Sequence, residues 1–178
     1  MVFLVDCSGI IQMIPYCLHP LHALERKVSG TVIRVKKGID YIGVGVGAVI
    51  LNAEGKAFLA KRGREARNER HKWEFPGGSV EFGEQLEDAL TREVREEYDF
   101  DIAVLQLLDV VNHVIPGEGQ HWVSPTYLCR YVSGTPRIRE PHKCDAIGWF
   151  RLEDIPEQEL TIASRKSLES LRNKLNTG

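Results

Sequence analysis

Residues 74–100, EFPGGSVEFGEQLEDALTREVREEYDF, carry a glycine-rich turn directly into a helical pattern. At about 100° per residue, Leu86, Leu90 and Val94 fall on one apolar stripe, which has to face a core. Glu93, Glu96 and Glu97 border that stripe, while Asp88, Arg92, Arg95 and Asp99 fall on the opposite, wetter side. Carboxylates spaced i, i+3 and i+4 repel one another, and beside a core they lose the water that would screen them. A hard cation resolves the conflict, because Mg²⁺ takes carboxylate oxygens and shares them with waters and substrate phosphates. The competing reading is a solvated acidic face; the overlap of apolar stripe and acidic arc favours the metal.

The 178 residues suit one domain with a sizeable core plus an appended segment. With 27% charged and 43% hydrophobic residues, the composition is that of an ordinary globular protein, and a net charge of -2 gives no support to binding a nucleic-acid polymer. A small anionic ligand therefore needs local cations or a metal. Cys7, Cys17, Cys129 and Cys144 form no CxxC pair, so they read as reduced thiols of a cytoplasmic protein. The stretch from Cys7 to Leu24 lacks Lys, Arg, Asp and Glu, but Pro15, Pro20, Gln12, His19 and His22 argue against a spanning helix. With no basic region before it and no A-x-A site after it, it also fits a signal peptide poorly.

Residues 1–38 read as an N-terminal extension: a candidate hairpin from Val2–Val5 and Ile10–Ile14, a strand over Thr31–Lys36, and a turn at Lys37-Gly38. The segment packs either on its own domain or on a partner subunit. Tyr41–Leu51 is a strand in which Ile42, Val44, Val46, Ala48 and Ile50 point one way and Gly43, Gly45 and Gly47 leave the other face bare for a flat ligand or for packed protein. Asn52–Gly55 is a turn, Lys56–Arg62 a returning strand, and residues 63–72 a basic loop. In that region Lys61, Arg62 or Arg64 are candidates for phosphate contact. Ile102–Ile115 and His121–Val132 form a long hairpin about Pro116–Gly119, residues 133–145 a loop, and Ala146–Phe150 a short strand. Thr161 caps a last helix reaching Leu175. The pattern predicts an α/β fold, one mixed β-sheet between helices.

The central stretch resembles the box of the Nudix hydrolases, G-x5-E-x7-R-E-U-x-E-E-x-G-U with U bulky and aliphatic. Gly78, Glu84, Arg92, Glu93, Val94, Glu96 and Glu97 occupy its positions; Asp99 replaces the final Gly and Phe100 the aliphatic residue. A glycine there eases the left-handed turn that ends a helix, so Asp99 puts the helix ending in question. The resemblance implies a Nudix domain over residues 39–178 with an α/β/α sandwich, and hydrolysis of a nucleoside diphosphate linked to another group with Mg²⁺ or Mn²⁺. It makes Glu93, Glu96 and Glu97 metal ligands with the Gly77 carbonyl, and assigns catalysis to Glu93, Arg92 and Glu96. In this reading Glu93 is the first choice for the base, Arg92 orients the carboxylates and Glu84 supports the loop or a further metal.

Substrate contacts are expected from Gly45, Gly47, Arg62, Gly78, Asn112 and Asp145. The branch implied is the one that converts a (d)NTP to the monophosphate and pyrophosphate. Two alternatives stand beside it: an ADP-ribose or nucleotide-sugar pyrophosphatase, suggested by Pro116 and an N-terminal segment suited to a homodimer, and a non-catalytic nucleotide-binding module. A small nucleotide is the expected partner, with no membrane involved.

Overall fold

The computed structural model describes residues 3–5, 11–13, 24–28 and 31–177, and divides the chain into two units, Met1–Val35 and Lys36–Gly178. The first contains two antiparallel pairs, β1 (Phe3–Val5) with β2 (Ile11–Met13) and β3 (Leu24–Val28) with β4 (Thr31–Val35). The expected N-terminal hairpin is present as β1 and β2, whereas β3 is additional: its charged sequence LERKV has no apolar run to mark it. Cys7, Cys17, Pro15 and Pro20 lie outside the described residues.

The second unit holds a seven-stranded mixed sheet. Its strands are β5 (Gly43–Leu51), β6 (Ala57–Arg62), β7 (Trp73–Glu74), β8 (Gly77–Ser79), β9 (Phe100–Ile115), β10 (Gln120–Gly134) and β11 (Cys144–Phe150). The path is β11-β6-β5-β10-β9, with β7 on β6 and β8 on β5. β5 and β10 run parallel, and the other pairs are antiparallel. Helices α1 (Leu86–Tyr98) and α2 (Ile162–Asn176) cover the two faces.

The alternation of the central strands explains the two covers. Val46, Ala48, Ile50, Phe58 and Ala60 meet Ala89, Leu90, Val94 and Tyr98 of α1. Val49, Ala57 and Leu59 point the other way and meet Leu168 and Leu171 of α2. A strand buried on both faces loses the polar alternation that marks a half-buried one, and Ala57–Ala60 is such a run. Thr161 caps α2 as expected, its hydroxyl accepting from Ser164 N at 3.2 Å. Asn52 closes the β5–β6 turn by accepting from the Glu54 and Lys56 N–H groups. Among the described residues no helix is long and apolar enough to cross a membrane, and Cys129 and Cys144 are free and buried.

Three sequence expectations change. Ile42 and Val44 share the face of Val46, yet they are exposed, because the α1 cluster takes in β5 only from Val46 onward. Lys36–Gly38 belongs to the second unit rather than to the extension. Asp99, the unexpected residue after α1, ends the helix normally: at φ 60° it adopts the left-handed conformation itself and donates its N–H to Arg95 O. Its carboxylate meets the Arg137 and Arg139 guanidiniums of the loop before β11. Phe100, the second departure, is buried edge-on against Phe58, with ring centroids 4.9 Å apart.

Asp99→Ala is expected to cost about 1–2 kcal/mol, from the left-handed backbone plus the lost arginine contacts. Asp99→Gly, which keeps only the backbone ease, should stay within about 1 kcal/mol of the wild type. Urea denaturation of the two variants measures both differences.

Candidate active site

The site begins with glycine backbone. Gly77 and Gly78 lie in β8 beside Gly47 and Val46 of β5, and a Cβ on Gly77 would come within 2.2 Å of the Val46 carbonyl. A Cβ on Gly78 would fall 2.0 Å from the Glu93 carboxyl carbon. The two glycines therefore let β8 press against the sheet and let Glu93 of α1 press against β8. Ser79 N–H donates to Glu93 Oε1 at 3.1 Å.

Arg92 organises the acidic residues around this contact. Its Nε and Nη2 donate to the two Glu84 oxygens at 2.8 and 2.9 Å, Nη2 also reaches Ser79 O at 3.2 Å, and Nη1 lies 3.1 Å from Glu93 and 3.2 Å from Glu96. The helical wheel puts Arg92 on the wet side; its long stem instead turns back over the loop, leaving a quarter of the side chain exposed. Glu84 supports the loop as expected, also accepting from Glu81 N. The Arg92 hydrogen bond holds the Glu84 carboxyl below the usual range. Glu96, expected at the core border, is mostly exposed.

Glu93 and Glu97 lie one helical turn apart, both partly buried. Burial pushes Glu93 up against the opposing pull of Arg92. Burial, then the charges of Glu93 and Glu74, push Glu97 up to about 8. Glu74 belongs to the same group, although sequence reasoning did not single it out. Burial raises its pKa too, and Arg62 opposes the shift from 2.5 Å. Its signal was an acidic residue between Trp73 and Phe75 in a strand that packs on the core. Among the described residues no three acidic, His or Cys side chains are gathered tightly enough to hold a metal ion in this conformation. The donor chemistry nevertheless fits a divalent cation: raised carboxylates that repel one another beside a glycine-lined backbone are the groups such an ion would relieve.

The sequence model of the NUDIX domain matches residues 42–171. The chain belongs to the NUDIX family. It is similar to a MutT NUDIX hydrolase from Burkholderia pseudomallei of known crystal structure, with 42% identity and a TM-score of 0.65 over 74% of this chain and 98% of that one. Among curated relatives, a putative nudix hydrolase 1 of Caenorhabditis elegans is 26% identical over 75% of the chain. An 8-oxo-dGDP phosphatase, NUDT18, of Danio rerio is 30% identical over 74% of it. The matches take in only 34% and 38% of those two proteins' own length.

The NUDIX box thus brings Gly78, Glu84, Arg92, Glu93 and Glu96 into direct contact, with Glu97 beside them. The expected substrate contacts fare differently. Gly78 is occupied by the Glu93 carboxylate, so its bareness serves the acidic cluster rather than a ligand. A Cβ on Gly45 would lie 2.9 Å from the Gly78 carbonyl, and one on Gly47 3.0 Å from Thr126 Oγ1, so protein fills the clearance on that face. Gly47 alone of Gly43, Gly45 and Gly47 is half-buried. Arg62 is spent internally: it bonds Glu74, and its Nε and Nη2 donate to the Asn68 carbonyl and side chain at 2.8 and 2.9 Å. Asn112 is exposed on β9 and meets His121 Nε2 at 2.7 Å. Asp145 sits at the β11 bulge and meets His71 Nδ1 at 2.9 Å. Asn112 and Asp145 are the two of the six that are exposed.

The raised Glu97 pKa sets a pH dependence. The unfolded chain loses this proton near the ordinary 4.5 and the folded chain near about 8, so between those values the unfolded state binds fewer protons and stability falls as pH rises. Thermal melts in a chelator should show this decline across the window, and Glu97→Gln should flatten it. An equal slope in the variant would assign the decline to other groups.

Proposed function

We propose that the chain is a Mg²⁺-dependent pyrophosphohydrolase that cleaves a nucleoside diphosphate linked to a further group. The preferred substrate is a (d)NTP, giving the monophosphate and pyrophosphate. One observation carries the reading: Glu93 and Glu97 stand partly buried one turn apart, with the Glu93 carboxyl against the backbone of Gly78. Like charges withdrawn from water in this way are costly unless a cation is shared between them. Glu93, Glu96, Glu97 and the Gly77 carbonyl would hold the ion, Mg²⁺ or Mn²⁺. When bound it supplies charge neutralisation at the phosphoryl oxygens and a more acidic water.

The rest falls to the chain's own side chains. Arg92 keeps Glu84, Glu93 and Glu96 in one orientation. Ser79 N and Arg92 both engage Oε1 of Glu93, and Oε2 would then take the proton of the attacking water. A water in line with the leaving group is what phosphoryl transfer needs. The 8-oxo-dGDP phosphatase name of one relative supports a nucleoside phosphate over a nucleotide sugar. Pro116, which would favour ADP-ribose, opens the 3-10 turn of the β9–β10 hairpin and is accounted for by that turn. The free, buried Cys129 and Cys144, whose thiols burial pushes up to about 12 and about 11, are consistent with a reducing cytoplasm.

With Mg²⁺, Glu97→Gln is expected to lower kcat about 100-fold or more. Gly78→Ala should do likewise, because its methyl displaces the Glu93 carboxylate. Gly117→Ala, with nothing near its Cβ, is the control that should keep full activity. Turnover of dGTP, dCTP and ADP-ribose, analysed for the bond cleaved, tests the substrate. Nucleotide bound tightly without metal and left intact would favour a binding module instead.

We also propose that the N-terminal segment contributes to a homodimer. Only Met1–Val35 is assigned to this role, since Lys36–Gly38 is part of the second unit. Removing residues 1–35 should shift the measured size to that of a monomer, and an unchanged dimer would count against the proposal.

A further inference from the structure

Lys37 precedes the matched residues 42–171, yet the fold carries it to the acidic site. Its segment is fixed on Trp122. Gly38, at φ +80°, lies so close that a Cβ would come within 2.4 Å of the indole, and its carbonyl accepts from His121 N at 2.8 Å. Trp122 is itself buried, its ring N–H donating to Gln120 at 2.9 Å. The exposed Arg67 guanidinium lies over the same ring, 4.9 Å from its centroid. One aromatic anchor thus positions two cations from separate loops.

From that anchor Lys37 Nζ reaches the Val80 carbonyl at 3.0 Å. Val80 follows Ser79, whose N–H holds Glu93. The ammonium therefore stands beside the loop that carries the acidic helix. Burial and then the like charge of Arg67 hold Lys37 below the usual lysine range, against the pull of Glu81 and Glu93. An ammonium has three donors, and the Val80 carbonyl takes one of them. Arg67 has a planar fork suited to phosphate oxygens. Two cations brought together repel each other, and an anion between them reverses the sign of that interaction.

We propose that Lys37 and Arg67 form a cationic seat for the terminal phosphoryl groups of the substrate, and that this seat favours a nucleoside triphosphate over a sugar-linked diphosphate. The assignment deepens the pyrophosphohydrolase reading and rests on it for the preference between substrates. A triphosphate carries more negative charge at its free end than ADP-ribose, whose second phosphate is capped by ribose. Both cations lie outside the box of residues 78–100, Lys37 before the matched domain and Arg67 in the basic loop, so the preference belongs to residues beyond the box.

The test uses the full chain with Lys37→Gln, Arg67→Gln and Lys37→Arg. Each neutral variant should raise KM for dGTP about tenfold while leaving kcat within about twofold, the pattern of binding lost equally from ground state and transition state. Affinity for inorganic triphosphate, measured by calorimetry, should fall by about the same factor, and 0.5 M salt should shrink the difference. KM for ADP-ribose should stay within about twofold of the wild type, and Lys37→Arg should restore dGTP binding. Unchanged triphosphate affinity in both neutral variants would overturn the seat and leave Lys37 as a strap on Val80. An equal rise in KM for both substrates would overturn the preference. If the wild type turns over no nucleotide, the pyrophosphohydrolase reading fails; loss of triphosphate binding in the variants would still uphold the seat.

Discussion

The contact of the Glu93 carboxylate with the bare backbone of Gly78 is the constraint from which the site follows. It requires glycine at 78, since any side chain there would overlap the carboxyl group. It requires β8 to lie against β5, which Gly77 permits by its own lack of a Cβ against Val46 O. It also requires a counter-charge, because a carboxylate held out of water by packing is unstable alone. Arg92 supplies one and ties the loop at Glu84 to the helix in the same step.

A second charge system stands behind the first. Glu74 and Arg62 pair across β7 and β6, and Arg62 passes its remaining donors to Asn68 of the basic loop. Asn68 in turn donates to Gln120, which accepts from Trp122. The chain of contacts connects the carboxylates near Glu97 with the hairpin that anchors Lys37 and Arg67. The loop conformation is demanding: Glu69 and His71 both adopt positive φ. Glu69 answers this by accepting from Ile162 N at the start of α2 and from Lys72, and His71 by its contact with Asp145. Residues held in such conformations persist where several contacts over-determine them, and this loop is tied to α2, β11 and the β9–β10 hairpin.

Much of the fold was legible because its signals are local. The apolar stripe of α1, the Asn52–Gly55 turn, the Pro116–Gly119 turn and the Thr161 cap each depend on residues within a few positions of one another, and each stands where the sequence places it. β3 was not legible, because its residues LERKV carry no apolar alternation. The exposure of Ile42 and Val44 was not legible either, since how far α1 reaches along β5 is a matter of packing between distant segments.

The site divides in the same way. Sequence alone determined that Arg92, Glu93, Glu96 and Glu97 lie together, because a helix places i, i+3 and i+4 neighbours side by side whatever surrounds it. Tertiary structure alone decided that Gly78 makes room for Glu93, that Arg62 is consumed by Glu74 and Asn68, and that Arg92 folds back over the loop. It also decided that Asp99 ends the helix against Arg137 and Arg139, and that Lys37 belongs beside Val80. Each of these joins residues that no helical or strand period brings together, and periodicity does not encode which partner a side chain will find across a turn or between elements.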